Sequence, residues 1–113
     1  IMHTIAGHIG DANFHIIPLV DLGRPEHRKA IMELTPKVYR LVAKYKGSIT
    51  GEHGDGIIRT PYLNLMYNQE ILELFKETKR IFDPLNIFNP GKKVGGTMAD
   101  IEKFMVKPEV KQF

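Results

Sequence analysis

The residues best suited to chemistry come in two short runs. His8 and His15 flank the stretch Gly10-Asp11-Ala12-Asn13, and Glu52-His53 lies inside Gly51-Glu52-His53-Gly54-Asp55-Gly56. Gly and Asn tolerate positive φ and Asp can bond its own backbone, so the first run reads as a hairpin turn. A turn centred on Asp11-Ala12 sets His8 opposite His15. Directly opposed residues share a face, with Cβ atoms about 4.5–5.5 Å apart. Two imidazoles so placed can hold one divalent metal, because neutral His nitrogen suits zinc and similar ions. They can equally be two hydrogen-bonded histidines on a half-buried sheet, and a two-residue slip of register would part them.

In the second run, three glycines let the backbone come close to a ligand. Glu52 offers a third, oxygen ligand that would leave a metal position open for substrate. His53 beside it suits a general base near neutral pH. Taken alone, the run is a polar turn after a strand; the hairpin histidines give it its chemical reading. Asp11 and Asp55 read as turn formers or as groups that orient imidazoles. His27, near a helix start, reads as a surface residue, and His3 faces away from the pair.

The elements that must carry these runs follow from periodicity and punctuation. Met2 to Ile9 and Phe14 to Val20 read as strands. A helix opens at Arg24-Pro25-Glu26 and runs to about Lys46, with Ile31, Leu34, Val38, Leu41, Val42 and Tyr45 at helical spacing. Pro36 should kink or break it, and Gly47 should end it. Ser48 to Thr50 reads as a third short strand, and Ile57 to Tyr62 as a connection. Asn68 caps a second helix to about Phe82, whose buried face is Ile71, Leu72, Leu74, Phe75, Ile81 and Phe82. Phe82 to Lys92 reads as a helix stop and two Asn/Pro turns, with Phe82 and Phe88 anchored in the core. An amphipathic piece follows near Met98 to Met105. The expectation is an α+β fold, β-β-α-β-α, with helices on one face of a small antiparallel sheet. The open edges of such a sheet suit pairing with further chain or with a second copy.

Composition narrows the classes. The 113 residues suit one small domain, and the absence of cysteine excludes disulfides, a thiolate nucleophile and Cys-ligated clusters. The net charge of +3 is spread along the chain, apart from Lys92-Lys93 and the cluster around Arg24, His27, Arg28 and Lys29. A nucleic-acid binder would show a denser basic stripe, so no nucleic acid is expected. No apolar run is long enough to span a bilayer. A cytoplasmic setting is expected. The β-like run starting at Ile1 suggests a piece of something longer.

At these residues the chain resembles a known family. Gly7-His8-Ile9-Gly10-Asp11-Ala12-Asn13-Phe14-His15 resembles the G-H-x-G-D-x-N-x-H segment of FAD-linked oxidases of the vanillyl-alcohol-oxidase type. Gly51 to Gly56 resembles their G-E-H-G-x-G segment, and Phe82 to Lys92 their F-D-P-x-x-I-x-N-P-G-K ending. The family includes flavin-linked glycolate oxidases, D-lactate dehydrogenases and D-2-hydroxyglutarate dehydrogenases. The resemblance covers the chain to about Val94. It implies that 1–94 is the C-terminal part of a partial ferredoxin-like substrate domain and 95–113 a tail.

The resemblance further implies that His8, His15 and Glu52 bind a divalent metal, zinc or similar, that holds the carboxylate and hydroxyl of a 2-hydroxy acid. It implies that His53 takes the hydroxyl proton while hydride passes to FAD, and that Asn89 lies near the flavin or substrate. FAD would be held mainly by an FAD-binding domain outside this chain, so this piece alone is expected to be inactive. The electron acceptor is undefined, and association with it could place the parent enzyme at a membrane surface. Ile17 stands where the hydroxyglutarate enzymes have a substrate-binding Asn, so substrate identity does not carry over. Ala12 stands where the family often has Gly. Two other classes fit the residues alone: a zinc hydrolase using the same His/His/Glu set, and a non-catalytic α+β interaction module.

Overall fold

A computed structural model describes residues 2–105. Ile1 and the end of the expected tail, 106–113, lie outside the described residues. The fold is α+β, with a two-stranded antiparallel sheet followed by helices.

Strand β1 is His3–Ala6 and β2 is His15–Pro18, with His3 opposite Pro18 and Ala6 opposite His15. This register is two residues from the expected one, so His15 does not face His8 across the ladder. The cause is Gly7. Its φ of +141° turns the chain off the ladder directly after Ala6, and any Cβ there would collide with the Asn13 carbonyl. The His8 carbonyl then accepts N–H bonds from Asp11 and Asn13 instead of bonding across the hairpin. A 3₁₀ turn over Ile9–Asp11 completes a longer connection than the tight turn expected.

Helix α1, Pro25–Lys44, begins with Pro25 in the first turn, where a missing N–H costs little. It continues through Pro36, so of the kink or break expected there, the break does not occur. An interior proline costs about 3 kcal/mol in lost hydrogen bonding and crowding. Met32, Tyr39 and Val42, on both sides of Pro36, pack against the core and offset that cost. Lys46 takes the left-handed turn that ends the helix (φ +57°), and the Gly47 N–H bonds the Val42 carbonyl.

Ser48 to Thr50 does not form the expected third strand; among the described residues the sheet has β1 and β2 alone. Side chains have captured its backbone. The Ile49 N–H points to Met66 Sδ at 3.3 Å, and the Thr50 N–H to Ser48 Oγ at 3.2 Å. Beyond the Gly-rich run, the short helix α2 (Gly56–Arg59) passes into a 3₁₀ helix over Thr60–Leu65, then α3 (Gln69–Phe82) and α4 (Met98–Met105). Asn68 caps α3 as expected, its side chain accepting the Ile71 N–H at 3.0 Å.

The core is small. Ile49, Tyr62 and Ile101 are buried together, and Tyr39 stands edge-on to Tyr62 at 5.1 Å. The Cα radius of gyration is 16.0 Å, against about 13 Å for a compact chain of this length. Two expectations of burial fail accordingly. On α3, Ile71, Leu74, Ile81 and Phe82 are exposed; only the side with Leu72 and Phe75 is half-buried. The helices also do not close over the hairpin. A cleft of about 1070 Å³ has Ile16, Ile17 and Pro18 on one wall and Ile31, Leu34 and Val38 on the other. Among the described residues, no helix is long and apolar enough to cross a membrane.

Candidate functional site

His8, His15, Glu52 and His53 all line that cleft. The hairpin supplies His15 from the start of β2 and His8 from the connection after Gly7. The longer connection returns His8 to His15 despite the shifted register, with ring centroids 5.8 Å apart and planes at 79°. The Gly-rich run brings the other two. Gly51 takes φ +56°, and a Cβ there would press on Asn13 Nδ2 at 3.2 Å. The tip of the hairpin and the Gly-rich loop therefore meet at Asn13 and Gly51.

Glu52 sits among three imidazoles. Its carboxylate lies 2.7 Å from His15 Nε2, 3.4 Å from His8 Nδ1 and 3.1 Å from His53 Nε2. Partial burial raises its pKa, but the close imidazoles of His15, His8 and His53 outweigh this and hold the carboxyl below the ordinary glutamate range. His53 Nε2 is hydrogen-bonded to Glu52 Oε1. A carboxylate only accepts, so this bond places the His53 proton on Nε2 and leaves Nδ1 as the free base. The His15–His53 centroid distance is 5.0 Å.

The donor set fits a divalent cation. One ligand atom from each of His8, His15 and Glu52 lies within 4.8 Å of the others. A tetrahedral cation with bonds near 2.1 Å needs ligand atoms about 3.4 Å apart, so small side-chain adjustments suffice. Although His15 Nε2 is close to Glu52, the contact is off the line of a hydrogen bond. The nitrogen is buried without a hydrogen-bond partner among the described residues.

Other singled-out residues are placed as follows. His27 Nδ1 accepts the Asp21 N–H at 3.0 Å and orders the start of α1. Asn89 is exposed at a turn with φ +48° and is not among the residues lining the cleft. In the Phe82–Lys92 segment the turns form as expected, but the phenylalanines are not their anchors: Phe82 is 80% exposed and Phe88 67%. Buried Asp83 takes that role, accepting the N–H groups of Ile87 and Phe88 at 2.9 Å each and pairing with Lys79. Asp55 is a brace: it accepts hydrogen bonds from Thr50 and Lys93.

Sequence reasoning does not find Asn13, Arg59, Thr60 or Lys93. Arg59 Nη1 donates to the Gly54 carbonyl at 2.9 Å, and its position three residues after Gly56 gives no sign of this. Lys93 is visible in the sequence only as half of a basic pair.

Comparison with known proteins gives the family of the chain. Residues 1–93 match the family described as FAD linked oxidases, C-terminal domain. The chain is 35% identical over 86 residues to the glycolate oxidase protein GlcD of Bacillus subtilis, covering 76% of this chain and 18% of that protein. It is 38% identical over 88 residues to D-2-hydroxyglutarate dehydrogenase of Stutzerimonas stutzeri, covering 76% and 19%. It is 34% identical over 91 residues to the mitochondrial D-lactate dehydrogenase (cytochrome) of Arabidopsis thaliana, covering 80% and 16%. The chain thus spans less than a fifth of the length of these curated relatives. No solved structure matches it.

Proposed function

Because the chain belongs to the FAD linked oxidases, C-terminal domain family, we propose that it forms the substrate- and metal-facing wall of a flavin-dependent dehydrogenase that oxidises a 2-hydroxy acid to the 2-oxo acid. The observation that carries this reading is the convergence of His8, His15, Glu52 and His53 on one cleft. The relatives' names, which include glycolate oxidase, D-lactate dehydrogenase and D-2-hydroxyglutarate dehydrogenase, support a small hydroxy acid as substrate.

In this reading His8, His15 and Glu52 hold a divalent cation, zinc or similar, and residues 1–94 are part of a substrate domain of ferredoxin-like type. When bound, the cation would supply Lewis-acid polarisation of the substrate's hydroxyl and carboxylate, and FAD, held by a separate domain, would supply the hydride acceptor. His53 receives the hydroxyl proton at Nδ1. The resulting imidazolium is stabilised by Glu52, already hydrogen-bonded at Nε2. Ile16, Ile17, Ile31 and Leu34 give the cleft an apolar lining beside these polar groups. Ile17 offers no hydrogen bond, which favours a small, apolar-tailed acid over a dicarboxylic one. Asn89, outside the cleft, would meet the flavin in the assembled enzyme.

The test is a pair of variants in the full chain with its flavin. His15→Ala should lose bound metal and 2-hydroxy-acid oxidation together. His53→Ala should keep the metal and lower kcat by about 10²–10⁴-fold. Full activity in His53→Ala, or activity with hydroxy acids that is indifferent to His15, would overturn the proposal.

A further inference from the structure

The Gly-rich loop has no regular structure to hold it. Gly51, Gly54 and Gly56 take φ of +56°, +71° and +55°, and glycine loses more freedom on ordering than any other residue. Its order comes from side chains that flank it and from one distant residue, Lys93. The Asp55 side chain, 8% exposed, receives the Thr50 hydroxyl on Oδ1 and the Lys93 ammonium on Oδ2 at 2.7 Å. Lys93 lies 38 positions further along. Its backbone N–H donates to Thr60 Oγ1 at 2.8 Å, and the Thr60 hydroxyl donates in turn to the Gly56 carbonyl. Side chain and backbone of one residue therefore end on adjacent loop positions.

Lys93 is itself held. Its ammonium lies 4.4 Å from the Phe75 ring centroid and 5.4 Å from that of Tyr67. A Cβ on Gly96 would collide with the Gly91 carbonyl and with Thr60, so the segment around Lys93 is folded tightly onto Thr60. Burial raises the Asp55 pKa, but the bonds from Lys93 and Thr50 outweigh it, and the carboxylate form is the one held.

We infer that Lys93 is a positioning residue: by holding Asp55 and Thr60 it fixes the loop that presents Glu52 and His53 to the cleft. The inference rests on the roles proposed above for Glu52 and His53. It also separates the two neighbouring lysines, since Lys92 belongs to the family's N-P-G-K ending while Lys93 carries the brace.

The test compares wild type, Lys93→Met and Lys93→Arg in the full chain. The first readout is hydrogen exchange at the His53 amide, which donates to the Thr50 carbonyl at 3.2 Å. The second is calorimetric titration with zinc. In Lys93→Met, His53 exchange should quicken about tenfold and zinc affinity fall about tenfold, while amides in the middle of α1, such as that of Val38, keep their protection. Lys93→Arg should restore most of both. Unchanged His53 exchange in Lys93→Met would overturn the inference, as would equal acceleration at Val38. If wild type takes up no zinc, the metal reading fails, and the exchange at His53 still decides the positioning role.

Discussion

The two loops that build the site are held in opposite ways. The hairpin connection, from Gly7 to Phe14, is held by its own backbone. The His8 carbonyl accepts two N–H groups, Ala12 takes the left-handed conformation at φ +52°, and Gly7 makes the exit from β1. The Gly-rich loop, by contrast, is held from outside by Thr50, Arg59, Thr60 and Lys93. One loop is closed by its own backbone and the other by side chains outside it, yet each brings two of the four residues to the same cleft. The contrast teaches where each half of the site is vulnerable: the histidine pair to backbone changes nearby, the Glu52–His53 pair to side-chain changes outside the loop, Lys93 being the most distant.

The largest break in this contrast should come from Gly7→Ala. It places a Cβ against the Asn13 carbonyl at a φ that suits only glycine, a cost of about 3 kcal/mol or more. Urea unfolding should show that loss, and His8 should no longer reach a metal shared with His15. Stability equal to wild type would mean the connection is not held by its backbone.

Acid should act on the other loop. The Asp55 pKa is depressed in the folded chain. Its contribution is therefore present above the ordinary aspartate value, near 3.9, and is lost as pH falls through the lower folded value. Melting temperature between about pH 5 and pH 3 should fall more steeply in wild type than in Asp55→Asn, which has no carboxylate to lose. Parallel slopes would remove Asp55 as an ionic brace.

The smallest effect sharpens the local side. Ala12 carries a left-handed φ that costs an L-residue about 1 kcal/mol or more. Ala12→Gly relieves that strain but frees the unfolded chain, so a net gain of about 0.5–1 kcal/mol is expected in the same urea measurement. A loss would show that Ala12 contributes packing that its exposed position does not suggest.

The same contrast explains what can be read from the sequence. Local signals hold where they are local. Pro25 at the start of α1, Asn68 as the cap of α3 and the turns after Asp83 all stand where residue chemistry puts them. The convergence of His8, His15 and Glu52 is legible too, though the register behind it is not. A hairpin centred on Asp11-Ala12 implies a tight turn, and nothing short-range says that Gly7 leaves the ladder early. Ser48 to Thr50 has strand-like residues, but Met66, seventeen positions away, takes the Ile49 N–H. Pro36 signals a kink or break, yet the helix runs through it, with Met32 and Tyr39 packed against the core on either side. Burial along α3 is not legible, because periodicity marks an apolar face without saying what covers it. The brace from Lys93 to Asp55 joins residues that no spacing rule connects.

That brace also sets an order in time. Chains emerge from synthesis with the N-terminal end first, at about 5–20 residues per second. Every backbone bond that shapes the hairpin lies within one short stretch, so all its partners are present early. The loop bearing Glu52 and His53 can make its bonds to Thr50, Arg59 and Thr60 early, but the bond to Lys93 only when that residue is out. The bond between Lys93 and Asp55 is thus the last of these contacts that a growing chain can make, because its two ends lie 38 positions apart.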